Sequence, residues 1–300
     1  MTDLFVFNVA KLAVKSIINV AAVYPKPGLI TPLTNSALDG NDFVTLVDGT
    51  MALFQALVNC GSVGADTESM KPEEVLSILR SSLKIGEGDI LQATKGKMKL
   101  RGHVFFMGLF SAAAGRLAAQ RRILTPAAII LTASSFARGI VERELWGIDS
   151  ENNNKNNLLT QSQKAYIQYG AEGCRGEADK GFPNVLEAIS LLRELEATHS
   201  HLSFREHAAH VLINTMANLE DACLIYHGGI SELLKVQNEA KKIINIGGML
   251  SLEGINAIID LDKKFSSEGF SPRASALILS SAVFVIGISK LKMNRTGYED

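Results

Sequence analysis

The sequence predicts an all-α fold, a single multi-helix bundle-like domain over residues 1–300 with site-forming loops. Three observations carry this. Apolar residues recur at helical spacing almost throughout, no stretch sustains the alternation of a strand, and aromatic residues are only 6% of the chain. Neither a fixed-period repeat nor a linker between two compositions interrupts the pattern.

The elements follow in order. Leu4 to Val23 carries one apolar face and is stopped by Pro25 and Pro27. Pro25 to Asn41, rich in Pro, Gly, Thr, Asn and Asp, reads as a structured loop, and Phe43 to Cys60 returns to helical spacing. Lys71-Pro72-Glu73-Glu74 is a helix start, with proline in the first turn and acids facing the positive end of the helix dipole. Val104 to Leu117 is apolar on nearly every face and rich in small residues, which suits the centre of a bundle. Thr125-Pro126 opens a helix running towards Trp146. Glu151 to Asn157, with five asparagines, reads as a solvated loop or short disordered insert.

A further helix is expected up to Tyr169, then a Gly-rich turn from Gly170 to Pro183. Helices resume at Val185–Glu196, Phe204–Tyr226, Ser231–Ile244, Ser251–Phe265 and Ser271–Lys290. A long uncharged apolar run, between Arg273 and Lys290, is shorter than the roughly 20 residues of a membrane helix and contains four serines, so it is read as buried.

Composition narrows the function. Thirty basic and 31 acidic residues give a net charge of -1, so there is no bulk basic field for nucleic acid. Cys60, Cys174 and Cys223 are odd in number and widely spaced, which argues against a disulfide framework or a cysteine-rich zinc site. The first residues lack the basic-then-apolar order of a signal peptide, and a cytoplasmic protein is expected. Neither a membrane nor a nucleic acid is expected as a partner; a homo-oligomer stays open.

Four segments set polar or glycine residues beside strongly apolar helices. Pro25-Lys26-Pro27-Gly28 stiffens the backbone around one lysine, either a point charge for a phosphate or a solvated residue ending a helix. Glu87-Gly88-Asp89 is followed by Lys95, Lys97, Lys99, Arg101 and His103, a basic cluster fit for a polyphosphate or for keeping a helix entry in water. Gly173-Cys174-Arg175-Gly176-Glu177 allows close approach of backbone to ligand, with Arg175 able to fork onto phosphate and Glu177 able to hold a metal ion or take a proton. Asp221 is placed inside a long apolar helix, Val211 to Ile225, ahead of the helix terminator His227-Gly228-Gly229. If it faces inward it needs a metal or basic partner. His199, His201, His207 and His210 read as a solvated face rather than a zinc site.

Taken together, these segments, with Gly181-Phe182-Pro183, Gly228-Gly229 and Ser271-Pro272, resemble the triphosphoribosyl-dephospho-coenzyme A synthases nearly end to end. That family makes the prosthetic-group precursor for the acyl carrier protein of citrate lyase and malonate decarboxylase. The resemblance implies an all-α fold and transfer of the triphosphoribosyl part of ATP to 3′-dephospho-coenzyme A with release of adenine. ATP is then a substrate, the acceptor is a CoA-like small molecule, and Mg²⁺ accompanies the triphosphate. Lys26, Arg101, Arg175, His227, Gly228 and Gly229 become the expected phosphate-binding residues, and Asp89, Glu177 and Asp221 the expected acid/base or metal residues.

The chain also departs from the family pattern. Val20 and Thr31 stand where the family has acidic residues around its Pro-Lys-Pro-Gly. The family's Gly-Ala-His-x-Asp reads Ser36-Ala37-Leu38-Asp39-Gly40, and its Asn-Thr-His-Lys-Gly reads Met98-Lys99-Leu100-Arg101-Gly102. The Asp-Thr-Asn followed by Arg-Gly-Gly reads Asp221-Ala222-Cys223 and His227-Gly228-Gly229, and the Ser-Pro-Gly-Gly-Ser-Ala-Asp reads Ser271-Pro272-Arg273-Ala274-Ser275-Ala276-Leu277. Lost carboxylates and histidines weaken the expectation of catalysis. Lys97, Lys99 and Arg273 suggest a retuned anion site. Three readings follow: the family's transferase, a diverged homologue with another (phospho)ribosyl donor or acceptor, and a non-catalytic nucleotide-binding or scaffold protein.

Overall fold

A computed structural model describes residues 2–148 and 159–291. Among these residues the chain is helical with no strand. The asparagine-rich segment at 151–157 lies outside the described residues. The first helix, α1 (Thr2–Ala21), buries Phe5, Val6, Val9, Ala10, Ala13, Val14 and Ile17, a stripe one and three to four residues apart that turns one helix face inward. It packs on α3 (Phe54–Asp66), α5 (Arg101–Ala119) and α14 (Arg273–Ser289). α5 and α14 are apolar on most faces and form the middle of one continuous core running from Phe5 to Ile288.

The closest packing is between α3 and α5, and it is made possible by missing side chains. A Cβ on Gly64 would lie 1.9 Å from the Ala112 carbonyl oxygen, and one on Gly115 would lie 2.0 Å from that of Gly61. Only glycine admits backbones at this separation, so the small-residue run in α5 brings α3 against it.

Several helix starts are set locally. In α2 (Phe43–Ala52) the Asp42 carboxylate accepts from Thr45 N at 2.7 Å. In α4 (Pro72–Ala93) Pro72 takes the first turn, with Glu73 and Glu74 behind it. Thr125 caps α6 (Pro126–Ala137), and Thr160 with Gln163 makes a capping box for α8 (Gln161–Tyr169).

Four sequence boundaries change. The helix expected over Phe43–Cys60 is two, α2 and α3, jointed at Leu53. The run towards Trp146 breaks at Arg138-Gly139, where Gly139 has φ 70, before the short α7 (Ile140–Glu144). The Gly-rich stretch 170–183 is not only a turn: it holds α9 (Gly173–Asp179), followed by α10 (Pro183–Thr198). The long helix through Asp221 is also two, α11 (Phe204–Asn218) and α12 (Ala222–Asn245). Asp221 sits at the break and caps the second. Apolar periodicity runs unbroken across this joint, which is why it does not show in the sequence. A 3₁₀ turn, Gly248–Leu250, and α13 (Leu252–Glu268) complete the chain before α14.

Asp3–Ala21 and Phe43–Asp66 are long and apolar enough to cross a membrane by length and composition. The first is accounted for by its packing on α3, α5 and α14. The expected apolar run in α14 is buried, as read.

Candidate functional site

The elements that carry the sequence motifs meet around the first turn of α5. Gly102 lies so close to Leu277 of α14 and Cys174 of α9 that a Cβ there would be 2.7 Å and 3.3 Å from their side chains. Gly173 stands equally close to Ala222, the first residue of α12. The starts of α5, α9, α12 and α14 therefore share one corner of the bundle.

Asp221 is the knot of that corner. Its Oδ1 accepts from Cys223 N at 2.8 Å and Leu224 N at 3.3 Å, and its Oδ2 accepts from Ala274 N at 3.0 Å. One buried carboxylate thus caps two helices, α12 and α14. Burial raises its pKa, and the three N–H donors and the Arg273 charge only partly offset this. Beside it, Arg273 donates to Ser36 Oγ at 3.1 Å and pairs with Asp39 at 2.6 Å, pinning the loop after the proline motif onto α14. His227 is exposed on α12, its pKa lowered by burial and then by the Arg273 charge.

The His227-Gly228-Gly229 element does not end its helix. Gly229 takes φ 70 and ψ -172, a kink after which the helix resumes through Asn245. At Gly229 the left-handed φ favours glycine, and a Cβ would sit 3.1 Å from the Tyr169 hydroxyl. Beyond the kink, Leu233 and Val236 re-enter the core, and their burial holds the second half of α12 against the bundle.

Glu177 is buried and its oxygens are committed: Oε1 accepts from Asn184 N at 2.9 Å and Val185 N at 3.2 Å, Oε2 from Asn184 Nδ2 at 2.7 Å. It caps α10 from the end of α9. Arg175 pairs with Glu144 through Nε at 2.7 Å, and Arg101 with Glu87 at 3.3 Å. Arg175, Glu177 and Asp221 all lie within electrostatic reach of Cys174, whose thiol is pushed up to about 12 by burial, with the Asp221 charge next.

Lys26 makes a different set of contacts. It is 2% exposed, and Nζ donates to the carbonyls of Val20 at 2.7 Å and Ala21 at 3.1 Å, the last acceptors of α1. The lysine of the proline motif is therefore not solvated. Its pKa falls to about 7 through burial, with the Asp262 charge opposing. Asp262, on α13, accepts from Gly28 N at 2.9 Å. His103, on α5 next to Gly102, is held down to about 4 by burial and the Lys26 charge.

Asp89 is partly exposed on α4, and its carboxylate takes part in no hydrogen bond or ion pair among the described residues. Asp89, Glu177 and Asp221 do not form a metal cage. Among the described residues no group of three or more His, Cys, Asp or Glu could hold a metal ion. Two of the three carboxylates already saturate buried backbone donors. Two surface hollows lie elsewhere, one lined by Lys11, Val14, Met51 and Phe54, the other by Lys235, Glu239, Lys264 and Phe270.

The family model for ATP:dephospho-CoA triphosphoribosyl transferase (CitG) matches residues 7–296. The chain belongs to this family. It is 32% identical over 277 residues to the probable 2-(5''-triphosphoribosyl)-3'-dephosphocoenzyme-A synthase of Salmonella gallinarum, covering 91% of this chain and 88% of that protein. The synthase of Escherichia fergusonii is 30% identical over 279 residues, 93% of this chain and 90% of that protein. The probable synthase of Malonomonas rubra is 27% identical over 290 residues, 95% and 89% of the two chains. No solved structure matches.

For a triphosphoribosyl transferase family member, three of the departures read from the sequence now have a structural consequence. Leu277 is 4% exposed and Leu100 packs against the core, so apolar side chains at these positions are built into the bundle. Arg273 replaces backbone freedom with a tie to Asp39 and Ser36. The histidines are corrected too: His207 and His210 are buried, because α11 is enclosed on most faces, and His207 Nε2 lies 2.9 Å from the His199 carbonyl oxygen.

Sequence reasoning missed Asp262, Arg80 and Glu144. Asp262 had a signal, since it falls four residues after Ile258 and three before Phe265 on the apolar face of α13, where an acid needs a partner. Arg80 and Glu144 had none, because their pairing links α4 to α7.

Proposed function

We propose that this protein transfers the triphosphoribosyl group of ATP to the ribose hydroxyl of 3′-dephospho-coenzyme A and releases adenine, in the cytoplasm. The observation that carries this reading is the family match over residues 7–296. The reaction needs cations for a triphosphate, an environment for an oxocarbenium-like sugar, and groups to move protons to adenine and from the acceptor hydroxyl.

In this reading Arg101, Arg175 and the kink His227-Gly228-Gly229 serve the phosphates. Lys26 acts from beneath, fixing the end of α1 and the loop that follows it. Glu177 and Asp221 hold the helix starts in register. Asp89 keeps its oxygens uncommitted and is our choice for proton transfer. Mg²⁺ is expected from the family chemistry, but the donors gathered here do not fit a protein-built metal site, so no step is assigned to it.

The test is direct. Incubation with ATP, Mg²⁺ and 3′-dephospho-coenzyme A is expected to yield free adenine, and an Asp89→Asn variant to yield much less. No adenine at high protein concentration overturns the activity.

A second reading, a nucleotide-binding protein without turnover or one with another donor, draws on the leucines at 100 and 277, which stand where the family has polar groups. Stabilisation in a thermal-shift screen by a different nucleotide, with no adenine from ATP, selects it.

A further inference from the structure

We propose that Arg80, Arg143 and Arg175 form a binding site for the linear phosphate chain of a nucleotide. This rests on the transferase reading and deepens it, by adding two arginines that the sequence motifs do not contain.

Three helices build the site. Arg80 comes from α4, Arg143 from α7 and Arg175 from α9. Glu144 stands between two of them: Oε1 pairs with Arg80, and Oε2 accepts from Arg175 Nε at 2.7 Å. Arg143, the residue before Glu144, is anchored through Nη1 to the Arg138 carbonyl oxygen at 2.7 Å. The other acid near Arg175 is Glu87, and Glu87 is shared with Arg101 at 3.3 Å. A third carboxylate, Asp179, lies beside Arg143 but is taken up by the N–H groups of Gly139 at 2.7 Å and Val141 at 3.1 Å. Four guanidinium groups therefore meet three carboxylates, and one positive charge is left over.

Like charges so placed repel one another. Burial, then the charges of Arg175 and Arg143, lower the pKa of Arg80. An anion relieves that repulsion. A guanidinium offers five N–H donors in a plane, and Arg80 and Arg175 each spend one on Glu144. The remaining donors suit phosphate oxygens, which accept two parallel N–H bonds from one guanidinium. Arg80 and Arg143 are exposed, so a ligand reaches them from solvent, while Arg175 adjoins Cys174 and leads to the corner where α5, α12 and α14 begin. The site thus runs from open surface to the candidate centre.

A phosphate chain could come from the donor, ATP, or from the diphosphate of the acceptor. The experiment separates them. Inorganic tripolyphosphate binding is measured by calorimetry for the unaltered protein, R80Q and R143Q, and the Michaelis constants for ATP and 3′-dephospho-coenzyme A are measured by adenine release. Each glutamine variant is expected to weaken tripolyphosphate binding about tenfold or more, because each removes a charged donor pair. The same variants should raise KM for one substrate by a similar factor and leave the other nearly unchanged; the one that rises is the one seated here. Should R80Q fail to fold, R80K, which keeps the charge but loses the fork, is expected to fold and to bind tripolyphosphate more weakly than the unaltered protein. Tripolyphosphate binding that is absent, or unchanged in the folded variants, overturns the site. Adenine release with unaltered constants overturns the site and leaves the transferase standing; Arg80-dependent tripolyphosphate binding without adenine release does the reverse.

Discussion

Lys26→Met should change how stability depends on pH. Lys26 is buried against the end of α1, with a pKa lowered from 10.5 to about 7. Between those values the unfolded chain binds a proton that the folded one has released. Stability therefore rises with pH over that window through this group. At about 1.4 kcal/mol per pH unit, the whole interval between the two values is worth about 5 kcal/mol, and the part below about pH 9.5 about 3 kcal/mol.

Methionine matches the lysine stem and carries no charge, so the variant lacks this contribution. It also loses the hydrogen bonds to Val20 and Ala21, at about 1 kcal/mol each. Near pH 6 the lost hydrogen bonds are opposed by relief from burying an ammonium, and the two proteins should be similar in stability. The gap in favour of the unaltered protein should then widen by about 3 kcal/mol between pH 7 and about pH 9.5. Urea unfolding at a series of pH values measures it, and the difference between the two proteins cancels the titrations they share. Parallel pH profiles would refute the reasoning and mean that Lys26 stays fully protonated in the folded state.

Asp221→Ala deprives three backbone N–H groups of their acceptor and should cost about 3 kcal/mol in denaturant unfolding; Asp221→Asn should cost less. Because burial raises the Asp221 pKa, the folded state holds its proton more tightly than the unfolded state, so the unaltered protein should gain on Asp221→Asn as pH falls through the carboxylate range. Gly64→Ala pushes a Cβ into the Ala112 carbonyl and should lower the melting temperature, at about 1–3 kcal/mol or more. Gly88→Ala meets open space on α4 and should stabilise by about 0.5–1 kcal/mol. Arg101→Ala breaks only a half-exposed pair with Glu87, so unfolding should move by under about 1 kcal/mol while binding of ATP, measured by calorimetry, weakens.

By itself the sequence determined the helical class, the start of α4 at Pro72 with its acids, and the central place of α5 and α14. Each of these follows from neighbours within a turn or two: a proline that cannot donate, a dipole that attracts carboxylates, a helix with no polar face to show to water. It also marked out Lys26, Arg175, Glu177 and Asp221 as unusual. Only the tertiary structure decided what they touch. Asp221 caps α14 across 53 residues of chain, Gly28 meets Asp262 across 234, and Arg80 meets Glu144 from another helix. Local sterics write a period into the sequence, but a charge leaves no trace of the distant partner that will neutralise it, so two of the three carboxylates expected to gather around a metal, Glu177 and Asp221, were found instead holding helix ends together.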